Sequence, residues 1–294
     1  MKIKPENALI GALPHIKKFY NSIIVVKIGG HAIVKPIIEE IVKDIVLLYY
    51  VGMKPIIIHG GGPEITRKME KDGKKPKFVG GLRITDDDTL DIVRTVLTED
   101  MNPKIVSLIN KHGAKGLGLS GRDGQLITAK KKVPQKIKVN GVEQDVDLGR
   151  VGEVETINPE VLRMAIEEGY IPVIAPIAPD AKGNDLNLNA DTVAGDIAIA
   201  IKSKKLIVLT DVPGVLRNPS DPDSLISSLS IEEANEMIGS GSVQKGMLPK
   251  VKACMRAIDG SVEKAHIIDG NRPHSLLLEL FTDEGIGTMM FAKI

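Results

Sequence analysis

Five places in the sequence carry groups suited to holding a ligand, most of them an anion. Ile56-Ile57-Ile58-His59 runs into Gly60-Gly61-Gly62-Pro63, and a helical pattern opens at Pro63-Glu64 and continues at Ile65 and Met69. A strand that feeds three glycines and then a helix start offers bare amides and a positive dipole end. The same loop would also serve as a flexible βα turn. Lys27-Ile28-Gly29-Gly30 repeats the arrangement one unit earlier, and Lys27 closes an apolar strand, where a charge either snorkels to water or points into a site. Arg83 could fork onto a carboxylate through two bonds, although a lone surface arginine would carry no message. Asn187, Asn189 and Asp191 alternate at the mouth of an alanine-rich helix running to Ile201, more polar side chains than one cap uses. Lys250 stands where the helix expected over 251–259 begins, and a cation set against the dipole suggests an anionic ligand nearby.

These residues need a scaffold, and hydrophobic periodicity supplies it. A helix over 6–20, interrupted by Pro14, precedes a buried strand at 23–28, a helix at 37–51 and the strand that opens the triple glycine. Residues 78–85 read as a hairpin. Asp86, Asp87 and Asp88 then cap a helix through Leu97 rather than ligate a metal, and a second helix follows near 104–111. Gly116-Leu117-Gly118-Leu119-Ser120-Gly121 matches the dinucleotide fingerprint in letters, but a turn and strand follow at 122–129 where that motif needs a helix. No nicotinamide or flavin site is expected there. Alternation over 133–154 around Asn140-Gly141 is a hairpin insertion, followed by a helix at 159–168 and a buried strand at 171–177. The strand at 206–209 ends in Thr210-Asp211-Val212-Pro213-Gly214, so the second half repeats the βα pattern of the first. A loop at 219–223, a helix at 231–238, a glycine- and serine-rich lead-in at 239–246, a strand at 266–270, a helix at 275–281 and a strand at 287–291 complete the chain. In an open parallel sheet, ligands bind at the carboxyl ends of the strands, where both glycine loops fall.

Composition narrows the class of function. The 294 residues are 43% hydrophobic, enough for one large α/β domain or two lobes. Basic and acidic residues balance at 39 and 38, so no global field favours nucleic acid or a membrane surface, and no span is long and apolar enough to cross one. Aromatic residues make up 3% and Trp is absent, which disfavours base-stacking platforms. The single Cys254 allows no internal disulfide and lacks the partners of a zinc site; it reads as a small core residue of a soluble, cytoplasmic protein.

Taken together, Lys27-Ile28-Gly29-Gly30, His59-Gly60-Gly61-Gly62-Pro63, Gly81-Leu82-Arg83-Ile84-Thr85, Asn187-Leu188-Asn189-Ala190-Asp191, Thr210-Asp211-Val212-Pro213-Gly214 and Gly246-Met247-Leu248-Pro249-Lys250 resemble the acetylglutamate kinases of the amino-acid kinase superfamily, in order and spacing across nearly the whole chain. The first motif is shared with carbamate, aspartate, glutamate-5 and uridylate kinases; the Gly-Leu-Arg and Asn-x-Asn-Ala-Asp pair is narrower. The resemblance implies a three-layer αβα sandwich around an open, mostly parallel sheet, with an N-terminal helix over 1–21 between subunits, an acceptor lobe over 22–185 and a nucleotide lobe over 186–294. It implies transfer of the ATP γ-phosphoryl group to the side-chain carboxylate of N-acetyl-L-glutamate, the second step of arginine synthesis through acetylated intermediates. Lys27 and Lys250 would stabilise the transition state, Asp191 would orient both, and Gly29 and Gly30 would lend amides to the moving group. Gly61 and Gly62 would hold the acceptor, Arg83 its α-carboxylate and Asn187 its acetyl end. Thr210, Asp211 and Lys250 would meet the nucleotide, with Mg²⁺ bound mainly through phosphates and water. His59 reads as a hydrogen-bonded loop residue. The extra helix and the run 266–287 resemble arginine-inhibited hexamers built as trimers of dimers, implying an arginine pocket at Tyr20, Glu279 and Gly285. Two rivals remain, a kinase acting on carrier-bound aminoadipate or glutamate and a non-catalytic sensor on the same fold.

Overall fold

The computed structural model describes residues 5–292 except Gly80, Asn140, Gly141, Pro219, Gln244 and Lys245. The expected Asn140-Gly141 turn, residues 1–4 of the N-terminal segment and parts of the 219–223 loop and 239–246 lead-in lie outside the described residues.

Eight strands form the central sheet: β1 (Ile23–Ile28), β2 (Lys54–His59), β3 (Gly116–Ser120), β4 (Ile171–Ala175), β5 (Lys205–Thr210), β6 (Ser228–Ser230), β7 (Lys264–Asp269) and β8 (Thr288–Phe291). Their order across the sheet is β6-β8-β7-β5-β1-β2-β4-β3, parallel throughout except that β8 runs against β7. Alternation splits the strand residues between two buried cores, Ile24, Val26, Ile28, Ile57 and Leu209 on one face and Val25, Ile56, Ile58 and Val208 on the other. A sheet covered on both faces needs such continuous apolar runs, each fully buried Ile or Val contributing about 2 kcal/mol relative to exposure.

Helices close both faces. α1 (Pro5–Phe19) runs through Pro14 and buries Phe19; α2 (Ile37–Tyr50), α3 (Gly62–Lys71) and α4 (Asp87–Arg94) join it over the first core. Asp86 caps α4 by accepting from Thr89 N at 2.8 Å. The two helices expected over 86–97 and 104–111 are one helical run, because a π-helical segment, Thr95–Met101, joins α4 to α5 (Asn102–Lys111). Pro103 sits in the first turn of α5, where its missing N–H costs little. α6 (Glu160–Glu167), α7 (Ala190–Ala200), α8 (Ile231–Gly239) and α9 (Met247–Asp259) cover the second face, and α10 (Ser275–Phe281) returns to the first. α9 begins four residues before the expected start, for Pro249 is tolerated in a first turn. The 133–154 insertion pairs Gln135–Val139 with Val142–Val146, and Ile127–Lys131 with Gly152–Ile157.

His274, the residue before α10, packs against α2. Asp44 on α2 is 1% exposed, with Oδ1 2.7 Å from His274 Nδ1. Burial pushes its carboxyl up from 3.8 to about 6 against the pull of His274. The folded state therefore holds this proton more tightly than the unfolded chain, so its contribution is full below about pH 4 and is lost as pH rises to about 6. Relative to Asp44→Asn, the wild type should lose up to about 3 kcal/mol between those limits, read from denaturant midpoints against pH. Parallel curves for the two proteins would contradict the assignment.

Candidate active site

The strand ends that carry the site stand level. Ile28 of β1 pairs with His59 of β2 and with Leu209 of β5, so the loops after these three strands open at one edge where the connections diverge. Strand alternation sends Lys27 to the second face, with Val25, beneath the start of α7. Gly195 lets α7 approach α9, since an added Cβ would lie 3.0 Å from Ala253 O. That approach brings the first turns of the two helices together.

Asp191 lies between two ammonium groups, with Oδ1 2.8 Å from Lys27 Nζ and Oδ2 3.4 Å from Lys250 Nζ. The Asp191 and Lys27 side chains are 7% exposed and that of Lys250 is 16% exposed. Burial drives the Asp191 carboxyl up, but the charges of Lys27 and Lys250 outweigh it and hold the group below its ordinary value. Two cations on one carboxylate leave a surplus positive charge. It faces a cavity of about 320 Å³ that Gly29, Gly30, Thr210 and Asp211 also line. Lys250 also donates to Gly246 O at 3.2 Å, from inside the first turn of α9 rather than ahead of it. The two glycine loops stack so closely that an added Cβ at Gly30 would lie 2.8 Å from Pro63 Cδ.

A second cavity of about 170 Å³ adjoins the first, sharing Gly60, Gly62, Asn189 and Ala190. Gly61, Gly62, Arg83 and Asn187 bring polar groups to it, and Ile65, Leu97 and Val151 an apolar wall. Arg83, 7% exposed, donates to Thr66 Oγ1 at 2.8 Å and Gly62 O at 3.0 Å, and stacks 4.6 Å over the Phe78 ring. It makes no ion pair among the described residues, so a charge already placed lacks its anion. Asn187 donates to Thr85 Oγ1 at 3.3 Å, while Asn189 caps α7 by accepting from Thr192 N at 3.0 Å. The three polar side chains at this helix mouth thus have three separate tasks.

Thr210 ends β5 and donates to Asp211 Oδ1 at 3.2 Å. Beyond them opens a cavity of about 580 Å³ lined by Val212, Val215, Leu216, Val243 and Met247. Sequence reading missed this apolar wall; its one signal was Val212 and Val215 flanking Pro213-Gly214 in a loop. Among the described residues no cluster of three or more His, Cys, Asp or Glu could hold a metal, and no helix is long and apolar enough to cross a membrane. Cys254 is fully buried in α9, its thiol pushed up by burial.

Glu279 and Gly285 meet in a separate cavity of about 260 Å³ beside α1, together with Lys205 and His266. Tyr20 is not brought to them: it is 67% exposed, and its ring lies against Gly52. Glu279 Oε1 is 2.5 Å from His266 Nδ1, and Lys205 Nζ is 3.1 Å from His266 Nε2. Burial draws Lys205 down to about 8. Lys205 and His266 were given no role of their own, because Lys205 closes the polar run Lys202-Ser203-Lys204 and His266 leads into the apolar pair Ile267-Ile268.

The sequence model of the amino acid kinase family matches residues 22–269. An acetylglutamate kinase of Methanococcoides burtonii is 56% identical over 98% of this chain and 95% of its own length. Another, from Methanosarcina acetivorans, is 56% identical over 99% of this chain and 98% of its own. Among solved structures, N-acetylglutamate synthase from Neisseria gonorrhoeae, complexed with coenzyme A and N-acetyl-glutamate, aligns with a TM-score of 0.86 at 23% identity. That alignment covers 99% of this chain but 64% of the synthase, and it speaks to the fold alone. With its lysine-bridged aspartate, stacked glycine loops and near full-length relatives, the chain belongs to the amino acid kinase family, among the acetylglutamate kinases.

Proposed function

We propose that this kinase transfers the γ-phosphoryl group of ATP to the side-chain carboxylate of N-acetyl-L-glutamate, giving ADP and N-acetyl-L-glutamyl 5-phosphate, a step of arginine synthesis. The observation that carries the reading is the pair of adjoining cavities. One is charged by Lys27, Asp191 and Lys250, and the other holds the buried, carboxylate-free guanidinium of Arg83.

Phosphoryl transfer asks the protein for alignment and charge neutralisation more than for covalent chemistry. The acceptor carboxylate is ionised at neutral pH, so no general base is needed. Lys27 from β1 and Lys250 from α9 approach the transferring group from two sides, and Asp191 keeps both aimed. Gly29 and Gly30 amides face the same space, while Gly61 and Gly62 amides, heading α3, face the acceptor. Arg83 receives the α-carboxylate and Asn187 the acetyl oxygen. Thr210, Asp211 and the apolar wall at Leu216 and Met247 suit the nucleotide. Mg²⁺ accompanying ATP would neutralise phosphate charge while held by phosphate oxygens and water. On this reading residues 22–185 form the acceptor lobe and 186–294 the nucleotide lobe. Ile10 and Leu13, 71% and 43% exposed on α1, support contact with further copies in a hexamer, and the Glu279 cavity supports an arginine effector.

The test is ADP release from Mg-ATP with N-acetyl-L-glutamate, with L-glutamate, with a carrier-bound glutamate or aminoadipate, or with no acceptor. Turnover should depend on the acetylated acceptor. Preference for a carrier-bound acceptor would favour that rival, and binding without turnover would favour a sensor. Arg83→Lys keeps the charge but loses the fork, so the KM for N-acetyl-L-glutamate should rise about 10- to 100-fold with kcat less affected. An unchanged KM would remove Arg83 from acceptor binding.

A further inference from the structure

His59 reaches neither cavity, yet its surroundings fix its protonation state. It ends β2, fully buried, with Nε2 3.2 Å from Asn102 Nδ2 and Nδ1 3.3 Å from Gly60 O. Asn102 Nδ2 also lies 2.8 Å from Val173 O, a carbonyl that can only accept. The amide nitrogen must therefore face both Val173 O and His59, and turning the amide over would set two acceptors against each other. His59 Nε2 is then an acceptor. Its ring proton stands on Nδ1 and donates to Gly60 O. Burial lowers the ring to about 4, so it stays neutral at physiological pH.

Two sequence features left unused by the active site make this chain of contacts possible. The π-helical segment ends at Met101, and Asn102, the first residue of α5, brings its side chain, 6% exposed, to the sheet. Gly118, within the stretch that imitates a dinucleotide fingerprint, leaves room for it, since a Cβ there would overlap Asn102 Oδ1. The glycines of β3 thus serve side-chain access rather than a pyrophosphate.

Gly60 is the hinge of the acceptor loop. Its amide donates to Ile28 O at 2.9 Å, so a bonded carbonyl leaves the peptide planes on either side of Gly60 held. The next two amides, of Gly61 and Gly62, have no partner among the described residues. We infer that His59, locked by Asn102 as the Nδ1–H tautomer, is a positioning residue that clamps the Gly60 carbonyl and aims the Gly61 and Gly62 amides at the acceptor. This rests on the acceptor reading of the loop proposed above.

Two measurements test it. In ¹⁵N-labelled wild-type protein, with the ring assigned through its own backbone resonances, long-range ¹H–¹⁵N correlation should show His59 protonated at Nδ1 alone from pH 8 to pH 5. A proton on Nε2, or a ring that titrates in that range, would overturn the inference. In kinetics, His59→Leu removes the donor, whereas His59→Asn sets an amide near the Nδ1 position. The leucine variant should raise the KM for N-acetyl-L-glutamate at least tenfold with the KM for ATP within twofold, and the asparagine variant should recover most of the loss. Equal changes in both KM values, no change, or an asparagine variant no better than leucine would count against it. If a variant fails to fold, the wild-type tautomer still decides. If the wild type shows no acetylglutamate-dependent turnover, the acceptor reading fails while the tautomer result stands on its own.

Discussion

Lys250→Ala should lower kcat by about a thousandfold, roughly 4 kcal/mol of transition-state stabilisation, while the protein stays folded. The ammonium projects from the first turn of α9 into the cavity that Lys27, Gly29 and Gly30 also line. Charge spreading over the transferring group's oxygens is what such a cation meets, in a site where water screens little. Folding should survive because Asp191 keeps Lys27 at 2.8 Å, so no charge is left buried alone. Stopped assays that give kcat and both KM values, beside a denaturation curve, separate the two effects. An unchanged kcat in a folded variant would strike Lys250 from the catalytic residues.

Asp191→Ala should act on stability as well as rate. Without the carboxylate, two largely buried ammonium groups that now share one partner would repel across a site of low polarity. Breaking a buried pair by removing one partner costs about 3–5 kcal/mol, because the remaining charge stays desolvated. The denaturant midpoint should fall with an unchanged slope, and kcat should drop because both lysines lose their common anchor. Inorganic phosphate or sulfate should restore part of the lost stability by standing in for the carboxylate. A variant as stable as wild type at neutral pH would show that the bridge does not hold the two helices and β1 together.

Much of the candidate site was legible in residue order. Lys27, Gly29-Gly30, Gly60 to Gly62, Asn187, Asp191 and Lys250 were readable because each breaks a local rule, whereas Arg83 gained meaning only from the family resemblance. A charge ended an apolar strand, glycines clustered, polar groups exceeded a cap, and a cation faced a dipole. The parallel sheet followed from short apolar strands feeding periodic helices. What could not be read depended on long-range placement. Pro103 and Pro249 both fall in the first turn of a helix, where an absent N–H is harmless, so the chain runs through a π segment and starts α9 early. Lys205 ends a polar run and His266 stands near the start of its strand, and only the register of β5 beside β7 joins them to Glu279. Tyr20 was placed with that cavity by resemblance, but in this chain it turns to Gly52. The Asn102–His59 contact spans 43 positions and leaves no local signature beyond a misleading glycine motif.

The central claim is that a carboxylate receives the phosphoryl group, and the bond formed can be trapped. An acyl phosphate reacts with hydroxylamine to give a hydroxamate, whereas phosphate released to water does not. With Mg-ATP, N-acetyl-L-glutamate and hydroxylamine present, hydroxamate should form in step with ADP, one for one, and neither should form without the acetylated acceptor. ADP appearing without hydroxamate, or at the same rate with no acceptor present, would contradict the account.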